Sequence, residues 1–171
     1  MVADMKDLLT VNIAYHANDP SVGMSLHEDI TKYKMFLGDT GLLTTLIFMD
    51  KDFTENIIYE KLLSDKLDIN LGYMYENIVA QMLYASGNKL FYYTFPKDNS
   101  SHNYKIDFLV VKRNKVCPIE IKSSGYNTHS SIDEFVNKFS SKIGQRYLVY
   151  TKDLRKDGDM ICMPIYMTMF L

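Results

Sequence analysis

The chain has no tryptophan and only two cysteines, Cys117 and Cys162, among 171 residues. Two isolated thiols make neither a disulfide framework nor the paired spacing of a zinc site. Disulfide-stapled secreted scaffolds are thereby excluded, and a reducing, cytoplasmic setting is the expectation. No apolar run approaches the roughly 20 residues of a membrane span, so no membrane partner is expected. Met1 to Asp7 lacks the basic region and apolar core of a secretory leader. There is no G-x-x-x-x-G-K-[ST] phosphate loop, which removes P-loop ATP hydrolysis from this chain. The four histidines, at 16, 27, 102 and 129, show no helical ligand spacing and read as surface residues. No Ser-His-Asp or Cys-His arrangement can be argued.

Charge of one sign is also missing. The formal net charge is −2, so no global nucleic-acid footprint exists. The distribution is less even. Residues 104–146 carry eight Lys/Arg against four Asp/Glu, which makes that segment the basic part of an acidic chain. Such a segment suits a phosphate ligand.

What the sequence does contain is a short charged constellation inside an apolar hairpin. Ile106-Asp107-Phe108-Leu109-Val110 and Pro118-Ile119-Glu120-Ile121-Lys122-Ser123 read as two strands. Residues two apart on a strand share a face, so Glu120 and Lys122 project together. A two-residue turn at Arg113-Asn114 sets Asp107 opposite Glu120, on the same face; a turn one residue longer, without a bulge, turns Asp107 away. Lys105 is read as projecting from the opposite face. At about 4 Å and an effective dielectric near 20, two carboxylates repel by roughly 4 kcal/mol. An ammonium, a proton or a bridging divalent cation can offset that. Hard cations such as Mg²⁺ take oxygen ligands and keep several waters, so two carboxylates form a minimal site.

The remaining chain reads as alternating strands and helices. Leu8–Tyr15 is a strand, 16–28 a loop, and Tyr33–Leu37 a second strand. Asp39 or Thr40 caps a helix to about Met49, and Thr54 caps another to about Ser64. The clearest helix is Leu71–Ser86, apolar at 71, 74, 75, 78, 79, 82 and 83, with Asn70 as cap and Gly87 as stop. Glu76 lies at the edge of its stripe, where it is either a solvated helix charge or a carboxylate leaning along the sheet. Lys89–Phe95 is a strand. Ser131 and Glu134 form a capping box for a helix burying Ile132, Phe135, Val136, Phe139 and Ile143. Tyr147–Tyr150 is a strand, 153–159 a charged turn, and 160–171 a last strand with a terminal segment. Residues 1–50 are read as an N-terminal subdomain, the remnant of a longer protein, and 51–171 as the main domain. Interleaved elements favour an α/β mixed sheet with helices on both faces.

Asp107 followed by Glu120-Ile121-Lys122 resembles the PD-(D/E)XK motif of restriction-endonuclease-like and Holliday-junction-resolvase-like nucleases. A longer series resembles the C-terminal domain, of unknown function, of prokaryotic AAA-type ATPases. That series runs from Asp39-Thr40-Gly41-Leu42-Leu43 through Gly72-Tyr73-Met74-Tyr75-Glu76-Asn77-Ile78-Val79-Ala80-Gln81 and the hairpin to Pro164-Ile165-Tyr166. It covers about Tyr33 to Leu171. Relatives carry an acidic residue where this chain has Lys105.

The resemblance implies a restriction-endonuclease-like fold and a DNA-binding domain that cleaves phosphodiesters with Mg²⁺ or Mn²⁺. Asp107, Glu120 and the Ile121 carbonyl would ligate the metal, Glu76 would act as an outer ligand, and Lys122 would orient the attacking water. The ATPase module that precedes such domains is missing here, and a homo-oligomer is compatible. The alternative is a catalytically inactive regulatory or assembly module of such an ATPase. Lesser candidates are Ser123, Ser124, Gln145 and Tyr147, with Tyr92, Tyr93 and Tyr104 as base-stacking surfaces or strand packing.

Overall fold

The computed structural model describes residues 4–5, 8–49, 71–98, 100–123, 126 and 128–171. Its strands are β1 (Val11–Ala17), β2 (Glu28–Leu37), β3 (Phe91–Pro96), β4 (Asn103–Lys112), β5 (Lys115–Ile121), β6 (Arg146–Tyr150), β7 (Arg155–Asp157) and β8 (Met160–Pro164). Its helices are α1 (Thr40–Phe48), α2 (Leu71–Ala85) and α3 (Ser130–Phe139), with a 3₁₀ segment over Ile165–Phe170. The strands form one sheet in the order β2-β1-β3-β4-β5-β6-β8-β7. Three neighbours pair in parallel (β1–β3, β5–β6, β6–β8) and the others antiparallel, so the sheet is mixed as expected.

Two apolar layers hold it. On one face α2 sets Val79, Ala80 and Leu83 against Phe36, Phe108, Val110 and Ile119. On the other α3 sets Ile132 and Phe135 against Ile106, Leu109 and Leu148. A sheet covered on both faces needs central strands apolar on both sides, and β4 and β5 are so. β1 pairs with β3, so the strands of the 1–50 segment and those that follow share this sheet.

Local signals explain the helix ends. Asp39 accepts a hydrogen bond from the Leu42 N–H at 3.0 Å and starts α1. Gly87, at φ 85°, ends α2. The Gly87 N–H bonds the Tyr84 carbonyl and the Asn88 N–H bonds the Leu83 carbonyl, the paired closure of a Schellman motif. The capping box expected at Ser131 and Glu134 does not form. α3 begins at Ser130, its cap position is His129, and no side chain caps it. Ser131 is already helical, where its hydroxyl no longer faces the free N–H groups. The helix expected over 54–64, like the Asn70 cap, lies outside the described residues.

Candidate functional site

The hairpin β4–β5 lies at the centre of the sheet order. Its turn is the two-residue one, Arg113 and Asn114 at φ 49° and 60°, the positive-φ pair of a type I′ turn. Lys112 faces Lys115 and the register runs unbroken to Phe108 opposite Ile119. Pro118 sits opposite Leu109. Its missing N–H lies on the side away from β4, so the hairpin loses no ladder bond.

The register expected is therefore met, but β4 does not stay regular against β3. Tyr93 pairs with Ile106 and Phe91 with Leu109, so one extra residue of β4 is absorbed between them. Ile106 and Leu109 pack in the α3 layer, Phe108 in the α2 layer. The bulge turns Asp107 towards α2, in the company of Lys105. Glu120, between Ile119 and Ile121 of the α2 layer, turns instead with Lys122 and lies beside Leu148 of the α3 layer. The same-face pairing of Asp107 with Glu120 is thus overturned by the bulge, which the hairpin register alone does not reveal.

Asp107 is buried. Its Oδ2 accepts a hydrogen bond from the Ile121 N–H at 2.9 Å. Extending the register would set Ile121 across from Ile106; the carboxylate takes that N–H instead, and the ladder ends there. Its Oδ1 lies 2.9 Å from Lys105 Nζ. The reading of Lys105 as pointing away is corrected: it is two residues from Asp107 and shares its face. The same ammonium lies 2.7 Å from Glu76 Oε1. Lys34 Nζ, on β2, lies 3.5 Å from Glu76 Oε2 and 4.8 Å from the centre of the Tyr92 ring. Glu76 is therefore not a solvated helix charge.

What positions Glu76 is its neighbour Asn77, fully buried. Asn77 Oδ1 accepts from the Leu37 N–H at 2.8 Å, and Nδ2 donates to the Leu37 carbonyl and to Thr40 Oγ1, each at 3.1 Å. One turn on, Gln81 Oε1 accepts from the Thr40 N–H and hydroxyl. These bonds fix the rotation of α2 against β2 and α1. Nothing in the sequence pattern marked Asn77, which sits inside the apolar stripe as an ordinary polar interruption.

The electrostatics follow from burial. Burial pushes the Asp107 carboxyl above the usual carboxylate range; Lys105 opposes the shift and Glu76 adds to it. Burial works against the Lys105 ammonium too, but Asp107 and Glu76 outweigh it and raise its pKa. Burial lowers Lys34 to about 8, with Glu76 opposing and Lys105 assisting. Glu120 is raised by burial, partly offset by Lys122, with Asp107 repulsion adding.

Glu120 has 4% of its surface exposed. Its Oε1 lies 2.9 Å from Lys122 Nζ, and its Oε2 is buried with no hydrogen-bond partner. His129 is half-buried, not a surface residue, and its Nδ1 is likewise buried and unpartnered. It is the smallest of the influences that oppose the rise of the Glu120 pKa. Sequence reasoning missed it, because a histidine before a helix carries no distinguishing pattern. His16 is also buried, its Nε2 accepting from the Thr94 N–H.

Most of the lesser candidates serve packing or turns. Gln145 donates to the Asp159 carbonyl, Tyr147 packs in the α2 layer, and Tyr92 and Tyr93 are buried within the sheet's layers. The Ser123 carbonyl accepts from the Tyr126 hydroxyl at 2.8 Å. Ser124 lies outside the described residues.

The donors of the site are carboxylate oxygens and a carbonyl, the set that hard divalent cations take. The orphaned buried oxygen is that of Glu120; the two carboxylates drawn onto Lys105, Glu76 and Asp107, lie on the other face of the sheet. Among the described residues no group of three acidic, His or Cys side chains is gathered closely enough to hold a metal ion. A cation held there would take most of its ligands from water.

Compared with known proteins, residues 71–168 match a family described as a domain of unknown function (DUF4143). The match opens on α2 and takes in every residue of the site except Lys34. No curated protein and no solved structure matches the chain.

Proposed function

The chain belongs to the DUF4143 family, and from that premise we propose a DNA-binding domain of the restriction-endonuclease-like kind that hydrolyses phosphodiesters with Mg²⁺ or Mn²⁺. It is the C-terminal part of an AAA-type ATPase arrangement. One observation carries the reading. A buried Glu120, with one oxygen unpartnered, stands beside Lys122 on the strand next to Asp107. Glu120 and the Ile121 carbonyl are the groups that would hold the cation beside Lys122, while Asp107 and Glu76, turned to the α2 face, lie outside them. Bound there, such an ion polarises a phosphoryl oxygen and lowers the pKa of its water. Lys122 would orient the attacking water and offset charge on the reacting phosphate. The basic 104–146 segment supplies attraction for the DNA backbone.

Calorimetric titration with Mn²⁺ tests the binding half. Wild type binds at millimolar metal or tighter, and Glu120→Ala weakens binding at least tenfold. No heat in either protein removes the proposal. For the chemical half, metal-dependent cutting of linear, branched or single-stranded DNA is expected, and Lys122→Ala abolishes it.

A specific observation favours a second reading. Lys105 already neutralises Glu76 and Asp107, as in a catalytically inactive regulatory or assembly module of the ATPase. Cutting that disappears in Lys122→Ala eliminates this reading.

A further inference from the structure

We propose that the cavity at the turn end of the β4–β5 hairpin binds a small nucleotide whose base carries an exocyclic amino group, with the phosphate on the turn and the base inside. Glu120 lies at the other end of β5, roughly 17 Å from Lys115 at about 3.4 Å per residue, so this is a second site.

The cavity measures about 500 Å³, within the roughly 300–1,000 Å³ of small-molecule sites. Strand parity gives it two kinds of wall. Val110 and Cys117 belong to the α2 layer. Lys112 and Lys115, two residues nearer the turn on their strands, share that face. No residue of α2 lines the cavity, and Tyr147 and Phe170 form its aromatic part. Gly144 lets the backbone close in from the side: a Cβ there would lie 2.8 Å from Lys115 Cβ and 3.2 Å from Cys117 Sγ.

The turn supplies cations without anions. Among the described residues no carboxylate forms an ion pair with Lys112, Arg113 or Lys115. Arg113 holds a positive φ of 49°, a conformation that costs an ordinary residue and recurs at ligand clamps. Its charge is felt inside the cavity: burial raises the Tyr147 pKa, Cys117 adds to the rise and Arg113 opposes it. Three cations beside aromatic rings suit an anion with a flat body. Phosphate takes charge-assisted hydrogen bonds from Lys and Arg, and a base stacks on aromatic side chains. Gln145, also on the lining, selects the base. Its Nε2 donates to the Arg146 and Asp159 carbonyls. The amide meets a ligand through Oε1, which only accepts. The amino group of adenine or cytosine supplies the donor; the carbonyl of hypoxanthine or uracil does not.

Equilibrium dialysis of the full chain against adenosine 5′-monophosphate tests this, in chelator so that no metal at Glu120 contributes. Saturable binding is expected, with adenosine, inorganic phosphate and inosine 5′-monophosphate each weaker by about tenfold or more. Arg113→Asn removes the guanidinium and puts a residue suited to positive φ in the turn. It should melt no lower than wild type and bind the nucleotide about tenfold more weakly. In protein labelled at the tyrosine rings, the nucleotide should shift the Tyr147 resonance. No saturable binding, undiminished binding in Arg113→Asn, or a Tyr147 resonance that stays put while the nucleotide binds overturns the proposal. Adenosine binding as tightly overturns it too, by leaving the cations without a role, and equal binding of inosine 5′-monophosphate does so by leaving Gln145 without one. Metal-dependent DNA cleavage, present or absent, bears on the reading of Glu120 alone.

Discussion

Lys34 shows how one side chain senses the whole charged cluster. Its amine is pressed between the Tyr92 ring and Glu76, with Lys105 on the far side of that carboxylate. Burial lowers its pKa from 10.5 to about 8. Between those two values the unfolded chain holds the proton and the native chain does not. The unfolded state then binds more protons, so stability from this group rises with pH across that window. Below about 8 the native protein carries the charge at a cost. Lys34→Met should remove this slope. Urea midpoints at pH 7.5 and pH 10 measure it, and the difference between wild type and Lys34→Met should grow in favour of wild type at the higher pH. A difference independent of pH would mean that Lys34 titrates like a solvated lysine. Glu76 then keeps one charged partner instead of two above pH 8, and Lys105 carries the neutralisation alone.

At the scale of elements, the β4–β5 hairpin sets everything else, and its turn is made from unsuitable residues. Arg113 and Asn114 both adopt positive φ, which costs roughly 1–2 kcal/mol for an ordinary L-residue and less for Asn. Replacing them with Asn-Gly should stabilise the protein by about 1 kcal/mol without moving the register. Thermal unfolding checks this, and metal binding should stay unchanged. A loss of stability would show that Arg113 makes a compensating contact. The same hairpin shows what could be foreseen. Turn length and alternation fix a register, so the pairing of Phe108 with Ile119 was legible. The bulge against β3 was not, because it depends on how a third strand aligns. Neither was β7, whose Arg155, Lys156 and Asp157 are all exposed and show no apolar alternation. β2 begins at Glu28, five residues before its apolar alternation, since its first half lies bulged at the sheet edge with exposed side chains. Lys105 was legible by parity and misassigned; its bridge to Glu76 required knowing how α2 rests on the sheet.

Over the whole molecule, the family match and the folding unit do not coincide. The matched segment starts at α2, yet α2 is anchored through Asn77 and Gln81 to Leu37 and Thr40, which precede it. Phe36 and Ala14 belong to the core layer that α2 completes, and β1 covers the edge of β3. Deleting residues 1–70 therefore removes a buried phenylalanine, worth about 3–5 kcal/mol on truncation. It also strands the buried amide of Asn77, at about 1–3 kcal/mol. Together these rival the entire stability of an ordinary domain, about 5–15 kcal/mol. A fragment spanning 71–171 keeps Leu171, whose carbonyl accepts from Asn88 Nδ2 at 2.8 Å, but should still lack fixed packing. The expected result is retained far-UV dichroism, lost near-UV signal and dye binding to exposed apolar surface. A cooperative melt near that of the full chain, with dispersed amide resonances, would show that the first two strands only decorate the sheet. Glu76 would then have to be held in place without the β2 contacts that now set the turn of its helix, and the distance from Lys105 to both carboxylates would lose its explanation.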